Sequence, residues 1–196
     1  MHTELKLRFL DIGSTKHSIE EAAHILTDTF TGMGKGAWPD LESARREVLE
    51  CLEAPRICIG AFDASAGERL YGWVGLRPLY ETTWELHPLV VRQEDQGRGI
   101  GRRLMAALET IAQRRGIRGI LLGTDDETSA TSLSQTDLTG NNVLQEIQQI
   151  RNLKQHPFAF YQRCGYAIVG VVPNAGGERK PDIWMWKRLC EMAQKP

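Results

Sequence analysis

The chain has 196 residues, of which 41% are hydrophobic and 25% are charged, and its formal net charge is −1 at pH 7. This length and composition predict one globular domain over residues 1–196. The near-neutral charge argues against nucleic acid or a membrane surface as a general partner, and no apolar run approaches the ~20 residues that span a bilayer.

Strand patterns occur along the whole chain. Two-residue alternation and short continuous apolar runs are typical of half-buried and buried strands respectively. Because amphipathic segments separate many of these runs, we expect an α/β fold with a central mixed sheet covered by helices. The predicted strands are 5–10, 56–62, 69–78, 83–92, 117–124, 166–172 and 182–187, with a polar turn at 63–68.

Helix signals lie between these strands. Ser18 begins an S-x-x-E capping box, and Asp40 precedes a second amphipathic run as its N-cap. The stretch 31–36 breaks the first helix, and Gly116 ends the third. The predicted helices are 18–30, 40 to about 52, 97–115, 142–153 and 157–164. The inner face of the third is predicted to carry Ile100, Leu104, Leu108 and Ile111.

Charge and cysteines are unevenly distributed. Residues 92–118 contain seven arginines and three acidic residues, whereas 119–150 contain five acidic residues and no lysine or arginine. The first segment suits an anionic cofactor and the second a cationic partner, although solvated surface charge explains both as well. The cysteines at 51, 58, 164 and 190 show no metal-ligand spacing, so we expect free thiols, no bound metal and a cytoplasmic protein.

The most informative segment is 89–104, where an apolar strand runs into a glycine-punctuated loop that opens a basic helix. Helix N-termini carry unpaired N–H groups and the positive end of the macrodipole, so they stabilise anions. A dinucleotide fingerprint would need glycine where Leu104 stands, and a P-loop would need Gly-Lys-Ser/Thr. Neither motif is present, and the segment predicts a different polyphosphate ligand.

The order Gln96-Gly97-Arg98-Gly99-Ile100-Gly101, directly after Val90-Val91, resembles the Q-x-x-G-x-G pyrophosphate loop of the GNAT N-acetyltransferases. The resemblance implies a GNAT fold, with a mostly antiparallel central sheet, and acetyl-CoA as the co-substrate. A flexible turn is the alternative for an isolated loop of this composition. The cofactor-binding residues implied are Leu89, Val90, Val91, Gln96, Gly97, Arg98, Gly99, Ile100, Gly101 and Arg102.

Further segments are similar to the aminoglycoside 6′-N-acetyltransferases over about residues 70–188. This resemblance implies an aminoglycoside amine as the acceptor, antibiotic resistance as the consequence, and a homodimer. The segments are Trp84–Val91, Gly123–Glu127, Thr131–Ser134, His156–Tyr166 and Lys180–Ile183.

Acetyl transfer needs a base for the amine, polarisation of the thioester and an acid for the departing thiolate. Glu85 and His87 are two residues apart in a predicted strand, so both should point to one face, just upstream of the implied thioester site. We expect Glu85 to accept the proton through water, with His87 as helper or rival, and Tyr161 to act as the acid. A salt-bridged Glu85, a structural His87 and a core Tyr161 are the alternatives.

Recognition of a polycationic sugar requires carboxylates and hydrogen-bond acceptors. Asp125 and Asp126 follow a predicted core strand, and strand alternation would aim one of them at the ligand. Glu85 is expected to contribute as well. Trp38 and Tyr80 could stack on sugar faces, although packing explains each aromatic residue equally well.

Three functions compete at this point. The first is direct acetyl transfer to an aminoglycoside in a ternary complex. The second keeps the chemistry but uses a peptide amine or a polyamine. The third is a sensor that binds acetyl-CoA without transferring its acetyl group.

Overall fold

The computed structural model describes residues 6–31, 37–64 and 69–189. The chain divides into a first unit, Met1–Arg118 with Cys190–Pro196, and a second unit, Gly119–Leu189. Four predicted features fall wholly or partly outside the described residues: the start of the first strand, the break at 32–36, most of the turn at 63–68, and Cys190. The prediction of a single domain over the chain stays a prediction.

The first unit contains four strands in which each strand pairs with the next in antiparallel fashion. The predicted strands are confirmed here, with ends that differ by one or two residues. Consecutive antiparallel strands need only short connections, which agrees with the close spacing of the last three. The strands are β1 Leu7–Asp11, β2 Ile57–Asp63, β3 Leu70–Pro78 and β4 Thr83–Val91.

Three helices belong to the first unit: α1 Lys16–Thr31, α2 Leu41–Leu52 and α3 Ile100–Arg114. Asp40 caps α2 as predicted, because its carboxylate accepts from the Ser43 N–H at 2.7 Å. The predicted cap at Ser18 is wrong. Helix α1 begins two residues earlier, and the hydroxyl of Thr15 accepts from the Ser18 N–H at 3.1 Å.

Helix α3 starts three residues later than predicted, because Gly99 at its N-cap has a left-handed conformation that a helix cannot include. Ile100, Leu104 and Leu108 form its buried face as predicted, together with Met105 and Ala112. Ile111 is only partly buried, which corrects its predicted place. The stop at Gly116 is confirmed by its φ of +79°.

The core of the first unit lies where α1 and α2 pack against the strands. Trp73 on β3 is fully buried there, and its indole N–H donates to the carbonyl of Ala22 at 3.0 Å. A buried indole needs such a partner because its N–H leaves water on folding. This bond therefore joins α1 to the middle of the sheet.

The second unit contains β5 Gly119–Asp125, β6 Ala167–Val172 and β7 Asp182–Arg188, with β7 antiparallel to both of the others. Its helices are α4 Val143–Gln148 and α5 Phe158–Arg163. The predicted helix at 142–153 is shorter than expected. Its last residues leave the helix to pair with another segment, since Asn152 bridges Thr131 and the Leu153 N–H donates to the carbonyl of Ala130 at 2.8 Å.

Strand β4 contains a bulge at His87 and Pro88. Leu89 pairs with Val74 and Leu86 pairs with Leu76, so two residues of β4 lie opposite Gly75 alone. A Cβ on Gly75 would lie 2.4 Å from the His87 carbonyl oxygen and 2.9 Å from the Cys51 sulfur. Glycine is therefore required at this position by close backbone approach.

We predict that Gly75→Ala lowers the free energy of unfolding by about 1–3 kcal/mol, because an added methyl group must displace the backbone of the bulge. Urea denaturation measures this change. Gly140→Ala is the matched control, since a Cβ there meets nothing within 4 Å. Equal stability of the two variants would contradict the prediction.

Candidate active site

The glycine loop between β4 and α3 has the backbone of a helix-terminus anion site. Gly97 and Gly99 have φ of +76° and +78°, and a Cβ on either would meet nothing within 4 Å. The requirement for glycine here is therefore conformational. No side chain caps the first turn of α3, so its N–H groups remain available to an anion.

Side chains around this loop have distinct roles. The guanidinium of Arg98 pairs with the buried carboxylate of Asp95, which also accepts from Arg69 at 2.6 Å. Gln96 donates from its amide to the carbonyl of Val91 at 3.1 Å, which closes the loop onto the end of β4. Arg98 is thus held by Asp95, whereas Arg102 is exposed at the start of α3.

The part of β4 that leads into the loop alternates in burial. Leu86, Pro88 and Val90 are buried, while the side chains of Leu89 and Val91 are half-buried. A Cβ at Gly72 would lie 2.5 Å from the carbonyl oxygen of Val90, so β3 approaches this part of β4 closely. This packing fixes the strand that precedes the loop.

Glu85 and His87 are both half-buried: Glu85 lies opposite Arg77 of β3, and His87 lies within the bulge. The Glu85 carboxylate accepts from Nε of Arg77, its cross-strand neighbour, at 2.7 Å. Glu85 therefore has the salt bridge that sequence reasoning gave as its structural alternative.

His87 is enclosed by groups from several elements. Its ring lies 5.5 Å from the ring of Trp38, and its Nε2 lies 3.7 Å from a carboxylate oxygen of Glu47. Burial, followed by the positive charge of Arg77, lowers the pKa of His87 against the opposing charges of Glu47 and Glu85. The imidazole is therefore neutral at neutral pH and able to accept a proton.

Sequence reasoning missed Glu47. The signal that could have found it is a carboxylate on the apolar side of α2, between the buried Ala44, Val48 and Cys51. Its side chain is only 15% exposed, and it accepts from the Trp38 indole N–H at 3.3 Å.

The two aromatic candidates of the first unit have different environments. Trp38 is buried and packs edge-on against Phe30 at 4.9 Å, so it is part of the core cluster as well as a neighbour of His87. Tyr80, next to the β3–β4 turn, is 64% exposed. Tyr80 is thus the one of the two with ring area open to a ligand.

Tyr161 lies on α5 in the second unit and is buried between aromatic rings. Phe160 lies 5.1 Å from it and Tyr166 lies 6.1 Å from it, both edge to face. Burial, with a smaller contribution from Cys164, raises the pKa of Tyr161. Its phenol is consequently protonated throughout the physiological pH range and can act only as a proton donor.

Asp125 and Asp126 have opposite environments, as strand alternation predicts. Asp125 is exposed at the end of β5. Asp126 is fully buried, and its carboxylate accepts from the Ala130 and Thr131 N–H groups at 2.6 and 2.9 Å and from the Thr131 hydroxyl at 2.7 Å. The Ser134 hydroxyl also donates to it. Asp126 therefore organises the 126–134 segment from inside.

Two further residues, Asp182 and Trp184, were not among the predicted site residues. Asp182 lies directly opposite Asp125 in the β5–β7 ladder. The Trp184 indole N–H donates to the Asp182 carboxylate at 2.6 Å, and 36% of Trp184 is exposed. The motif containing Asp182 was noted in the sequence, but the cross-strand register that pairs it with Asp125 is a property of the folded chain.

Two features are absent from the described residues. In residues 6–31, 37–64 and 69–189, no helix is long and apolar enough to cross a membrane. Within the same ranges, no group of three or more His, Cys, Asp or Glu side chains could hold a metal ion. The cysteines in those ranges, Cys51, Cys58 and Cys164, are free thiols.

The family model and the solved structures that this chain matches belong to the same family of proteins. Residues 19–133, more than half of the chain, match the model of the acetyltransferase (GNAT) family. No match to a curated protein was found.

Solved structures extend this likeness to nearly the whole chain. An aminoglycoside 6′-N-acetyltransferase complexed with coenzyme A is 37% identical, with a TM-score of 0.83, over 98% of this chain and 99% of its own. The aminoglycoside 6′-N-acetyltransferase from Enterococcus faecium is also 37% identical, with a TM-score of 0.82, over 98% of this chain and 99% of its own. The ribosomal-protein-S18-alanine N-acetyltransferase from Escherichia coli, at 13% identity and 0.63 over 97% of each chain, shares the fold alone. The predicted α/β GNAT fold is confirmed.

We predict that Asp126→Asn lowers the free energy of unfolding by about 2 kcal/mol at neutral pH, because an amide cannot accept all four hydrogen bonds. Burial raises the pKa of Asp126, but hydrogen bonds from Ser134, Ala130 and Thr131 outweigh it and lower the pKa. A lowered folded pKa gives stability above the unfolded value of ~3.9, which is lost as pH falls through the folded value.

The difference between wild type and Asp126→Asn should therefore shrink as the pH falls below about 4. Urea denaturation at pH 7 and at acidic pH measures both quantities. A difference that does not change with pH would contradict the role of the charged carboxylate.

Proposed function

Because the chain belongs to the GNAT acetyltransferases and groups with their aminoglycoside 6′-N-acetyltransferases, we propose that it transfers the acetyl group of acetyl-CoA to the 6′-amine of an aminoglycoside. The observation that carries this proposal is the 37% identity, over 98% of this chain, to an enzyme of that activity complexed with coenzyme A. Two alternatives keep the fold: transfer to a peptide amine or a polyamine, and a sensor that binds acetyl-CoA without transferring its acetyl group.

The glycine loop is the proposed site of the coenzyme A diphosphate. Left-handed Gly97 and Gly99 turn the chain so that the first N–H groups of α3 are exposed to an anion. The Asp95–Arg98 pair holds one side of the loop in place before the ligand arrives. Arg102 supplies exposed positive charge, and the backbone of Leu89, Val90 and Val91 is the proposed partner of the cofactor arm.

In the proposed ternary complex, the acceptor nitrogen attacks the thioester carbonyl carbon and the carbon–sulfur bond breaks. The nitrogen loses a proton and the departing thiolate gains one, so the reaction needs a base and an acid. We assign the base to His87, whose imidazole is neutral, and we assign to Glu85 the attraction of the acceptor ammonium. This division reverses the order expected from sequence, because Glu85 is already paired with Arg77 at 2.7 Å.

Tyr161 is the proposed hydrogen-bond donor to the departing thiolate. Its phenol is neutral over the working pH range because burial raises its pKa. A coenzyme thiolate, whose parent thiol titrates near ~8.5, becomes basic as the carbon–sulfur bond breaks. Because the phenol is a weaker acid than the coenzyme thiol, Tyr161 assists by donating a hydrogen bond to the departing sulfur, and the thiolate takes its proton from solvent as coenzyme A is released.

Asp125 and Asp182 support a polycationic acceptor. The two residues lie directly opposite each other in the β5–β7 ladder, and two neighbouring carboxylates suit a ligand with several ammonium groups. The partly exposed Trp184 ring, fixed by its hydrogen bond to Asp182, adds an apolar face of the kind that packs against a sugar. Exposed Tyr80 is a second stacking candidate. Trp38 contributes by packing against His87, and Asp126 contributes by binding residues 130, 131 and 134.

Three wider properties accompany the proposal. Acetylation removes a positive charge from the drug and so confers resistance. A homodimer is proposed from the family resemblance. The free thiols of Cys51, Cys58 and Cys164 are compatible with a reducing cytoplasm, where acetyl-CoA is available.

We predict that the purified protein releases coenzyme A thiol from acetyl-CoA when an aminoglycoside with a 6′-amine is added. An otherwise similar drug with a 6′-hydroxyl should give no release. Thiol detection measures the rate, and mass spectrometry locates the acetyl group. Activity on spermidine or a peptide without activity on any aminoglycoside would favour the second function, and binding of acetyl-CoA without any turnover would favour the sensor.

We predict that Asp125→Asn raises the KM for the aminoglycoside about tenfold, equivalent to about 1.4 kcal/mol, with little change in kcat, because it removes one negative charge from the acceptor site. Steady-state kinetics at saturating acetyl-CoA measure this split. Glu178→Gln, an exposed carboxylate of the same unit, is the control and should leave KM unchanged. An equal rise in both variants would show a general charge effect.

A further inference from the structure

Glu47 occupies an unusual position for a carboxylate. It lies on the core side of α2, one turn before the buried Cys51, and its side chain is 15% exposed. The Trp38 indole N–H donates to one of its oxygens at 3.3 Å, and the Cys51 thiol donates to the other at 3.6 Å. Removing a carboxylate from water without a cation is costly, so this position requires an explanation.

The cationic partner available to Glu47 is His87. Nε2 of His87 lies 3.7 Å from Oε1 of Glu47, too far for a strong hydrogen bond but close enough for charge interaction. In the part of the chain that the structure describes, no lysine or arginine lies within ion-pair distance of Glu47. The carboxylate is therefore poised to stabilise the imidazolium that forms when His87 accepts a proton.

Glu47 is also tied to the strand that carries His87. The Cys51 thiol, which donates to Glu47, also lies 3.5 Å from the carbonyl oxygen of His87. The Trp38 ring, whose N–H is bound by Glu47, packs 5.5 Å from the His87 ring. Movement of the Glu47 side chain would thus disturb both the thiol bound to the His87 backbone and the ring packed against the His87 imidazole.

We propose that Glu47 is a positioning residue for acetyl transfer: it orients the His87 imidazole and stabilises its protonated form during deprotonation of the acceptor amine. This inference rests on the proposed function of His87 as the base. Glu47 acts through His87 and does not itself contact the reacting atoms.

The charged groups around His87 decide its proton affinity together. Arg77 on β3 and Arg56 before β2 lower the pKa of His87, while Glu47 on α2 and Glu85 on β4 raise it. The Cys51 thiol faces the same strand from α2. Glu85 is already paired with Arg77 at 2.7 Å, so Glu47 is the carboxylate whose charge faces His87 without an arginine partner.

The test is a pH titration of His87 in the Glu47→Gln variant, monitored through the imidazole NMR signals. The His87 signal is assigned as the one that is missing from the spectrum of His87→Asn. Loss of a negative charge at this distance should lower the His87 pKa by about one unit. The acid limb of the kcat/KM profile should move to lower pH by the same amount, and the weaker base should reduce the plateau about threefold.

Two variants separate charge from packing. Glu42→Gln removes an exposed carboxylate from the first turn of the same helix, and it should leave the His87 pKa unchanged. Glu47→Asp keeps the charge and should restore at least part of the pKa and of the plateau rate. A purely structural Glu47 would lower the rate in Glu47→Asp as much as in Glu47→Gln, with no change in titration.

An unchanged His87 pKa in Glu47→Gln, or an equal shift in Glu42→Gln, would overturn the inference. A shift in the NMR titration is independent of any acceptor, so absence of aminoglycoside turnover in the wild type would overturn the proposed function and leave the Glu47–His87 coupling standing. A pKa shift without the matching move of the kinetic limb would show that His87 is not the base.

Discussion

The packing of strand β4 is the constraint on which the rest of the site depends. Before the bulge, Glu85 lies on the face of the sheet that Arg77 shares, and after it Val90 lies on that same face, opposite Trp73. The bulge opposite Gly75 sets where His87 lies along the strand. The same strand then leads directly into the glycine loop, so one rigid element positions both the proposed base and the proposed diphosphate site.

The carboxylates of the proposed site differ in the groups that neutralise or bind them. Glu85 and Asp95 form ion pairs with arginines. Asp126 accepts four hydrogen bonds, which fix the conformation of the segment that donates them. Glu47 and Asp125 differ, because the first faces a histidine and the second lies opposite another carboxylate. The charge of Glu47 can respond to protonation of His87, and the exposed position of Asp125 suits a cationic ligand.

Predictions from neighbouring residues were reliable where one turn of the chain determines where a helix or loop begins or ends. The Asp40 cap, the stop at Gly116 and the glycine loop follow from residue chemistry within a few positions. They failed where a competing local or distant group was stronger: Thr15 displaced Ser18 as the helix cap, and pairing with 130–132 shortened α4. The Glu85–Arg77 pair is of the second kind, because the register of β3 and β4 creates it.

By itself, the sequence determined the strands, most helix ends and the glycine loop before α3, because these depend on period, turn chemistry and neighbours along the chain. Only the tertiary structure decided which acidic residues are paired, buried or exposed, since those partners are distant in sequence. Glu47 and Asp182 belong to this second group: the first meets His87 across 40 positions, and the second meets Asp125 through the β5–β7 register.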